Sequence, residues 1–158
     1  MKENNTDFKS TVLSESVFKT EKIASAIGHN LRGGEVIILK GDLGSGKTAF
    51  VRGLVRGSGS LDFVSSPSFV IRNDYQTARN IIAHFDFYRL DDPGILSSSL
   101  QELLGDNHYI IVIEWGDIVS DLLPRKTMII EFSSLSSNKR KLDLTYDKAL
   151  SYLVGGLN

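Results

Sequence analysis

The sequence predicts a three-layer α/β fold: a central, mostly parallel (mixed) sheet with helices on both faces. Three observations carry this expectation. Val36-Ile37-Ile38-Leu39 is a continuous apolar run flanked by glycines, the pattern of a strand covered on both faces. A glycine-rich turn follows it, and then Val51, Leu54 and Val55 mark the buried stripe of a helix ending near Gly57. Further on, Tyr109 to Glu114 forms a second apolar run, so strand, turn, helix and more strands alternate as parallel sheets require.

The remaining elements follow in order. Residues 8–13 suit a short strand. Thr20 is placed as the N-cap of a helix whose Ile23, Ala24, Ile27 and Leu31 recur at i, i+3/i+4, with Arg32-Gly33-Gly34 as its stop. Strands are expected at Ser68 to Tyr75, Ile81 to Tyr88, Met128 to Phe132 and Arg140 to Tyr146. Helices are expected at about 95–104, 117–122 and 147–154. Ser133 to Asn138 is one polar loop between strands.

At 158 residues the chain is sized for one domain, residues 1–158. Apolar residues make up 41% and charged residues 23%, which sets aside disordered and fibrous classes. Cysteine is absent, removing disulfides, thiolate metal sites and cysteine nucleophiles together. A net charge of −1 gives no global basic field, so contact with RNA is expected through a partner protein. No apolar run approaches the ~18 residues of a membrane span, and Met1 to Asn5 lacks the apolar segment of a signal peptide. The expected location is cytoplasmic, without membrane contact.

Gly41-Asp42-Leu43-Gly44-Ser45-Gly46-Lys47-Thr48 satisfies G-x-x-x-x-G-K-[ST] in full. A strand delivers this loop and a helix leaves it. That context matters because successive backbone N–H groups and the positive helix end together make an anion site. The fold expectation therefore sharpens to a P-loop NTPase-like sandwich. Lys47 would reach the β and γ phosphates, and Thr48 would offer a hydroxyl to Mg²⁺.

Such a loop needs an acid at the end of a neighbouring strand. Glu114 follows four apolar residues and is the leading metal-side candidate. Asp86 is the rival, and alternation puts it on the opposite sheet face from Phe85 and Phe87. His84, two residues earlier, is a candidate phosphate sensor or proton shuttle, or simply a hydrogen-bonded strand histidine. Arg52 and Arg56, spaced i, i+4, make either a docking face or a solvated helix face. Trp115 stacks on a base or a partner, or packs partly buried. His29 and His108 read as surface residues.

Four blocks in order then make the chain resemble the TsaE family, small P-loop ATPases of tRNA threonylcarbamoyladenosine synthesis. They are the loop 41–48, Ser66-Pro67-Ser68-Phe69, His84-Phe85-Asp86-Phe87-Tyr88-Arg89-Leu90, and Ile113-Glu114-Trp115. The second and third are the specific ones, since the loop alone fits many unrelated NTPases. The resemblance spans roughly residues 20 to 145. It implies an ATP- and Mg²⁺-dependent nucleotide switch that works with TsaD and TsaB type proteins, which modify adenosine 37 of tRNA. ATP rather than GTP is part of that implication.

By position, the resemblance has Asp42, Leu43, Gly44, Ser45, Gly46, Lys47, Thr48 and Ala49 cradle the phosphates, and Thr48 with Glu114 hold Mg²⁺. Lys47, Asp86 and Glu114 form the catalytic set, Asp86 orienting or activating the attacking water. Ser66, Pro67, Ser68 and Phe69 form a first switch segment, and His84, Asp86, Tyr88 and Arg89 belong to a second. Arg140 falls where the family has a late arginine near the nucleotide, and the backbone of Val17 to Thr20 flanks the adenine. Ser68, Ser45 and Ala49 replace the family's commoner Thr, Ala and Thr, and Gly116 replaces a frequent proline. Leu96 to Leu104 lacks the usual Met-Gly-Ile pattern. Two other classes compete: a small P-loop kinase, which would need an arginine-rich lid, and a module that uses ATP as a structural ligand.

Overall fold

A computed structural model of the chain describes residues 7–65, 71–88, 90–92 and 94–157. Ser66, Pro67, Ser68, Phe69 and Arg89 of the expected switch segments lie outside the described residues. Seven strands, β1 (Phe8–Ser14), β2 (Val36–Lys40), β3 (Arg72–Gln76), β4 (Ile81–Asp86), β5 (Tyr109–Glu114), β6 (Thr127–Ser134) and β7 (Arg140–Tyr146), form one sheet of order β1-β7-β6-β2-β5-β4-β3. The central strands β6, β2, β5 and β4 run parallel, and the outer strands β7, β1 and β3 are antiparallel. The centre is the buried parallel sheet expected from its apolar runs, and of the antiparallel strands β7 alternates in burial while β1 and β3 are mostly polar.

Among the described residues three α-helices accompany the sheet: α1 (Val17–Asn30), α2 (Lys47–Gly57) and α3 (Gly94–Leu103). Two further helical segments, Gly116–Leu122 and Lys148–Val154, are 3₁₀ rather than α. Each is seven residues, a length at which tertiary packing sets the helix type. Helices α1 and α2 and the 148–154 segment cover one face, around Ile37, Leu39, Ile82, Ile110, Val112, Met128 and Ile130. Helix α3 and the 116–122 segment cover the other, around Val36, Ala83, Phe85, Phe87, Ile111 and Ile113. Alternation along each strand produces the two separate cores.

Helix α1 starts one turn earlier than its apolar spacing indicates. Ser16, extended at φ −162°, is the N-cap, and its hydroxyl accepts from Lys19 N at 3.0 Å. Thr20 instead lies buried in the first turn, its Oγ1 2.7 Å from the Ser14 hydroxyl. The reason the spacing fails is local: Val17 and Phe18 are 63% and 69% exposed, so the first turn carries no core periodicity.

Helices α1 and α2 approach at Gly53, where an added Cβ would lie 2.2 Å from Glu21 O and 2.7 Å from Glu21 Cα. Arg52 and Arg56 then reach across, at 2.6 and 3.5 Å, to the two carboxylate oxygens of Glu21. These arginines pair with α1 from a solvated face of α2. Gly53→Ala is expected to destabilise the fold by about 1–3 kcal/mol, because backbone atoms cannot yield to the methyl group. That outcome runs against the ~1 kcal/mol that alanine gains over glycine in an open helix. Urea denaturation measures it, and an unchanged or higher midpoint would contradict the close approach.

Candidate active site

Parallel strands end at the same edge of a sheet, and the order β2-β5-β4 makes three of those ends adjacent. The loop 41–46 leaves β2, Glu114 closes β5, and Asp86 closes β4, paired in register with Glu114. Even-numbered residues 82, 110 and 112 face α2, so His84, Asp86 and Glu114 share that face. Phe85 and Phe87 pack into the opposite core, as the alternation indicated.

A cavity of about 220 Å³ results, lined by Leu43, Gly44, Gly46, Lys47, Thr48, Ala49, Asp86, Glu114 and Trp115. Gly46 caps α2 at φ +108°, a conformation that L side chains rarely adopt, and no side chain bonds the first-turn N–H groups. The helix therefore offers its amide donors and positive end at the cavity. Lys47 is 6% exposed and its Nζ donates to the carbonyls of Gly41 and Asp42, the latter at 3.0 Å. Burial lowers the Lys47 pKa, and Glu114, Asp86 and Asp42 offset part of that.

Arg140 braces the loop from β7, its Nε donating to Ser45 O at 3.1 Å and Nη2 to Gly44 O at 3.4 Å. Asp42 and Leu43 are exposed at the loop tip. Trp115 holds the one left-handed non-glycine backbone among the described residues, φ 58°. Its ring lies 5.0 Å from Lys47 Nζ and 4.9 Å from the Tyr88 ring, so the indole roofs the lysine with the Tyr88 ring beside the indole. The sequence held no signal for this roof, which depends on the turn after β5. His29 and His108 are exposed, as expected.

The loop suits a polyphosphate. The Ser45 hydroxyl is buried with no hydrogen-bond partner, the lysine donates only to its own loop, and a Cβ at Gly44 would meet open space. Thr48 and the nearby carboxylates supply oxygen donors, the set preferred by Mg²⁺ shared with phosphate. Among the described residues no three His, Asp or Glu side chains converge into a cage that would hold a metal alone.

Asp86 is half-buried and accepts from Tyr88 N at 3.0 Å. Burial raises its pKa; the Tyr88 bond opposes this, Glu114 adds to it, and His84 and Lys47 oppose it. A carboxyl whose folded pKa lies above its unfolded value contributes stability below the unfolded pKa. That contribution is lost as pH rises through the folded pKa. Asp86→Asn keeps the acceptor for Tyr88 N and removes the charge. It is expected to melt above the wild type at pH 7, with the gap closing toward about pH 4. A gap that is absent or independent of pH would contradict this.

Comparisons with known proteins place the chain in a family and match its fold. Residues 14–142 match the family model described as threonylcarbamoyl adenosine biosynthesis protein TsaE. The tRNA threonylcarbamoyladenosine biosynthesis protein TsaE of Rickettsia felis is 32% identical over 138 residues, 86% of this chain and 80% of the relative. Its namesake from Aquifex aeolicus is 35% identical over 133 residues, 83% and 92% of the two chains. The crystal structure of YdiB from Bacillus subtilis superposes with a TM-score of 0.77 at 21% identity, covering 96% of this chain and 94% of that one, and so shares the fold. No helix among the described residues is long and apolar enough to cross a membrane.

Proposed function

This chain belongs to the TsaE family of tRNA threonylcarbamoyladenosine biosynthesis proteins, and we propose that within that pathway it is a Mg²⁺-dependent ATPase that resets or licenses a TsaD–TsaB type complex. The observation that carries the reading is the convergence of an open phosphate loop, Lys47, Thr48, Glu114 and Asp86 on one cavity. Lys47 exchanges the carbonyls of Gly41 and Asp42 for phosphate oxygens, and the amides at the start of α2 bind the same group. Thr48 and Glu114 would hold Mg²⁺, which when bound would supply charge neutralisation to the phosphates.

Asp86, across from Glu114 in the parallel pair, orients the water that attacks the γ phosphorus, giving ADP, phosphate and a proton. Its raised pKa suits it to accept that water's hydrogen bond and take up the proton transiently. Positioning and charge stabilisation are most of what phosphoryl transfer to water needs, so hydrolysis without further positive charge is slow. Arg140 braces the loop and leaves that charge to Arg89 or to a partner. Coupling follows if segments 66–69 and 84–89 differ between ATP and ADP states and show the partner different surfaces. RNA then meets the complex rather than this chain.

Reconstituted tRNA modification tests the reading. With TsaD and TsaB type proteins, substrates and ATP present, this chain is expected to convert a single round of modification into many. Equal product with and without it would sink the proposed role.

A further inference from the structure

His84 is fully buried on the α2 face of β4, and its Nε2 lies 3.3 Å from Glu114 Oε2. The carboxylate only accepts, so Nε2 is the donor, and the lone pair falls on Nδ1. Nδ1 is buried and has no hydrogen-bond partner. A histidine kept for packing alone would be a poor choice there, since an apolar ring would leave nothing unpaired. What the imidazole adds is one donor aimed at one carboxylate oxygen. Behind it stands Tyr75, 3% exposed, with ring centroids 6.5 Å apart, and the Tyr75 hydroxyl donates to Ser65 O at 3.2 Å. That wall fixes the imidazole from the side away from Glu114.

We infer that His84 is a positioning residue, whose Nε2–H holds the Glu114 carboxylate in the orientation that the loop's divalent cation requires. The inference rests on the ATPase reading for its consequence in turnover but not for its geometry. Outer groups that orient a metal-side carboxylate are worth about 10–100-fold in metal affinity or activity. Tyr75, the ring beside the imidazole, bonds Ser65 O, one residue before the first switch segment.

Three measurements test it. In nucleotide-free wild type, two-bond ¹H–¹⁵N correlation of the imidazole nitrogens is expected to show the proton on Nε2 and Nδ1 bare, the resonance being assigned by its loss in His84→Gln. A proton on Nδ1 alone would overturn the inference. ADP affinity is then compared with and without Mg²⁺ in His84→Gln, which keeps a donor at similar reach, and in His84→Leu, which has none. The leucine variant is expected to lose about tenfold or more of the Mg²⁺-dependent gain, and the glutamine variant to stay within about threefold of wild type. Affinity in EDTA stays level across all three. A folded leucine variant with the full Mg²⁺ gain, or a wild type with none, would overturn it. In hydrolysis the leucine variant is expected to fall in kcat and, because slow chemistry makes KM follow Kd, to rise in KM for the Mg²⁺ nucleotide, while the glutamine variant keeps both near wild type. A wild type that never hydrolyses ATP defeats the ATPase reading, while the tautomer and the Mg²⁺ gain still decide His84.

Discussion

Lys47→Ala is expected to lose nucleotide binding by about two orders of magnitude and hydrolysis altogether. In the free protein this side chain is buried, donates to two loop carbonyls, and is held below its usual pKa by burial. Such a cation is short of anionic partners, and phosphate supplies them. Each charge-assisted bond contributes about 1.5–3 kcal/mol, and lysine makes more than one to a polyphosphate. Saturating ADP with Mg²⁺ should raise the wild-type melting temperature by several degrees, since ligand at about 100 times Kd adds ~2.7 kcal/mol. The variant should show no shift. Calorimetric titration and thermal melting measure both effects, and a variant that binds within about threefold of wild type would remove the loop from the account.

The two carboxylates should separate by role. Asp86→Asn is expected to cut kcat by about 10²–10⁴-fold while ADP affinity stays within about threefold, because its proposed role is with the water. Glu114→Gln is expected to lose the Mg²⁺-dependent part of nucleotide affinity as well as turnover, because its proposed role is with the cation. Both residues pack against the same face near Lys47, so bulk electrostatics alone would make the two variants alike. Titrating ADP with and without Mg²⁺, alongside single-turnover hydrolysis, distinguishes the pair. The reverse pattern would exchange their assignments.

Much of this was legible along the chain, and particular residues show where legibility ended. Tyr109 to Glu114 and Arg140 to Tyr146 are strands with the bounds the apolar pattern indicated, because buried strands keep a continuous or strictly alternating signal. The loop, Lys47, Thr48, Asp86 and Glu114 all fall on one cavity. Ser16 escaped notice because the exposed Val17 and Phe18 interrupt the helix period that located Ile23 and Ile27. Arg52 and Arg56 lie on the solvated helix face their spacing indicated, but their partner, Glu21, lies on another helix and could not be named from local sequence. The His84 contact with Glu114 depends on β4 lying beside β5, a neighbour relation set by sheet order rather than local sequence. Shared parity of His84 and Asp86 was the available signal; the identity of the carboxylate opposite was not. Tyr75 stood out only as an aromatic in the polar strand Arg72 to Gln76.

The central claim is that nucleotide turnover in this chain is coupled to a partner complex. ATP hydrolysis by the purified protein, alone and after addition of the TsaD–TsaB pair, with Lys47→Ala as the blank, tests it most directly. The expected result is slow hydrolysis alone, a clear rise with the pair, and neither in the variant. An unchanged rate in the presence of a pair shown to be active would contradict it.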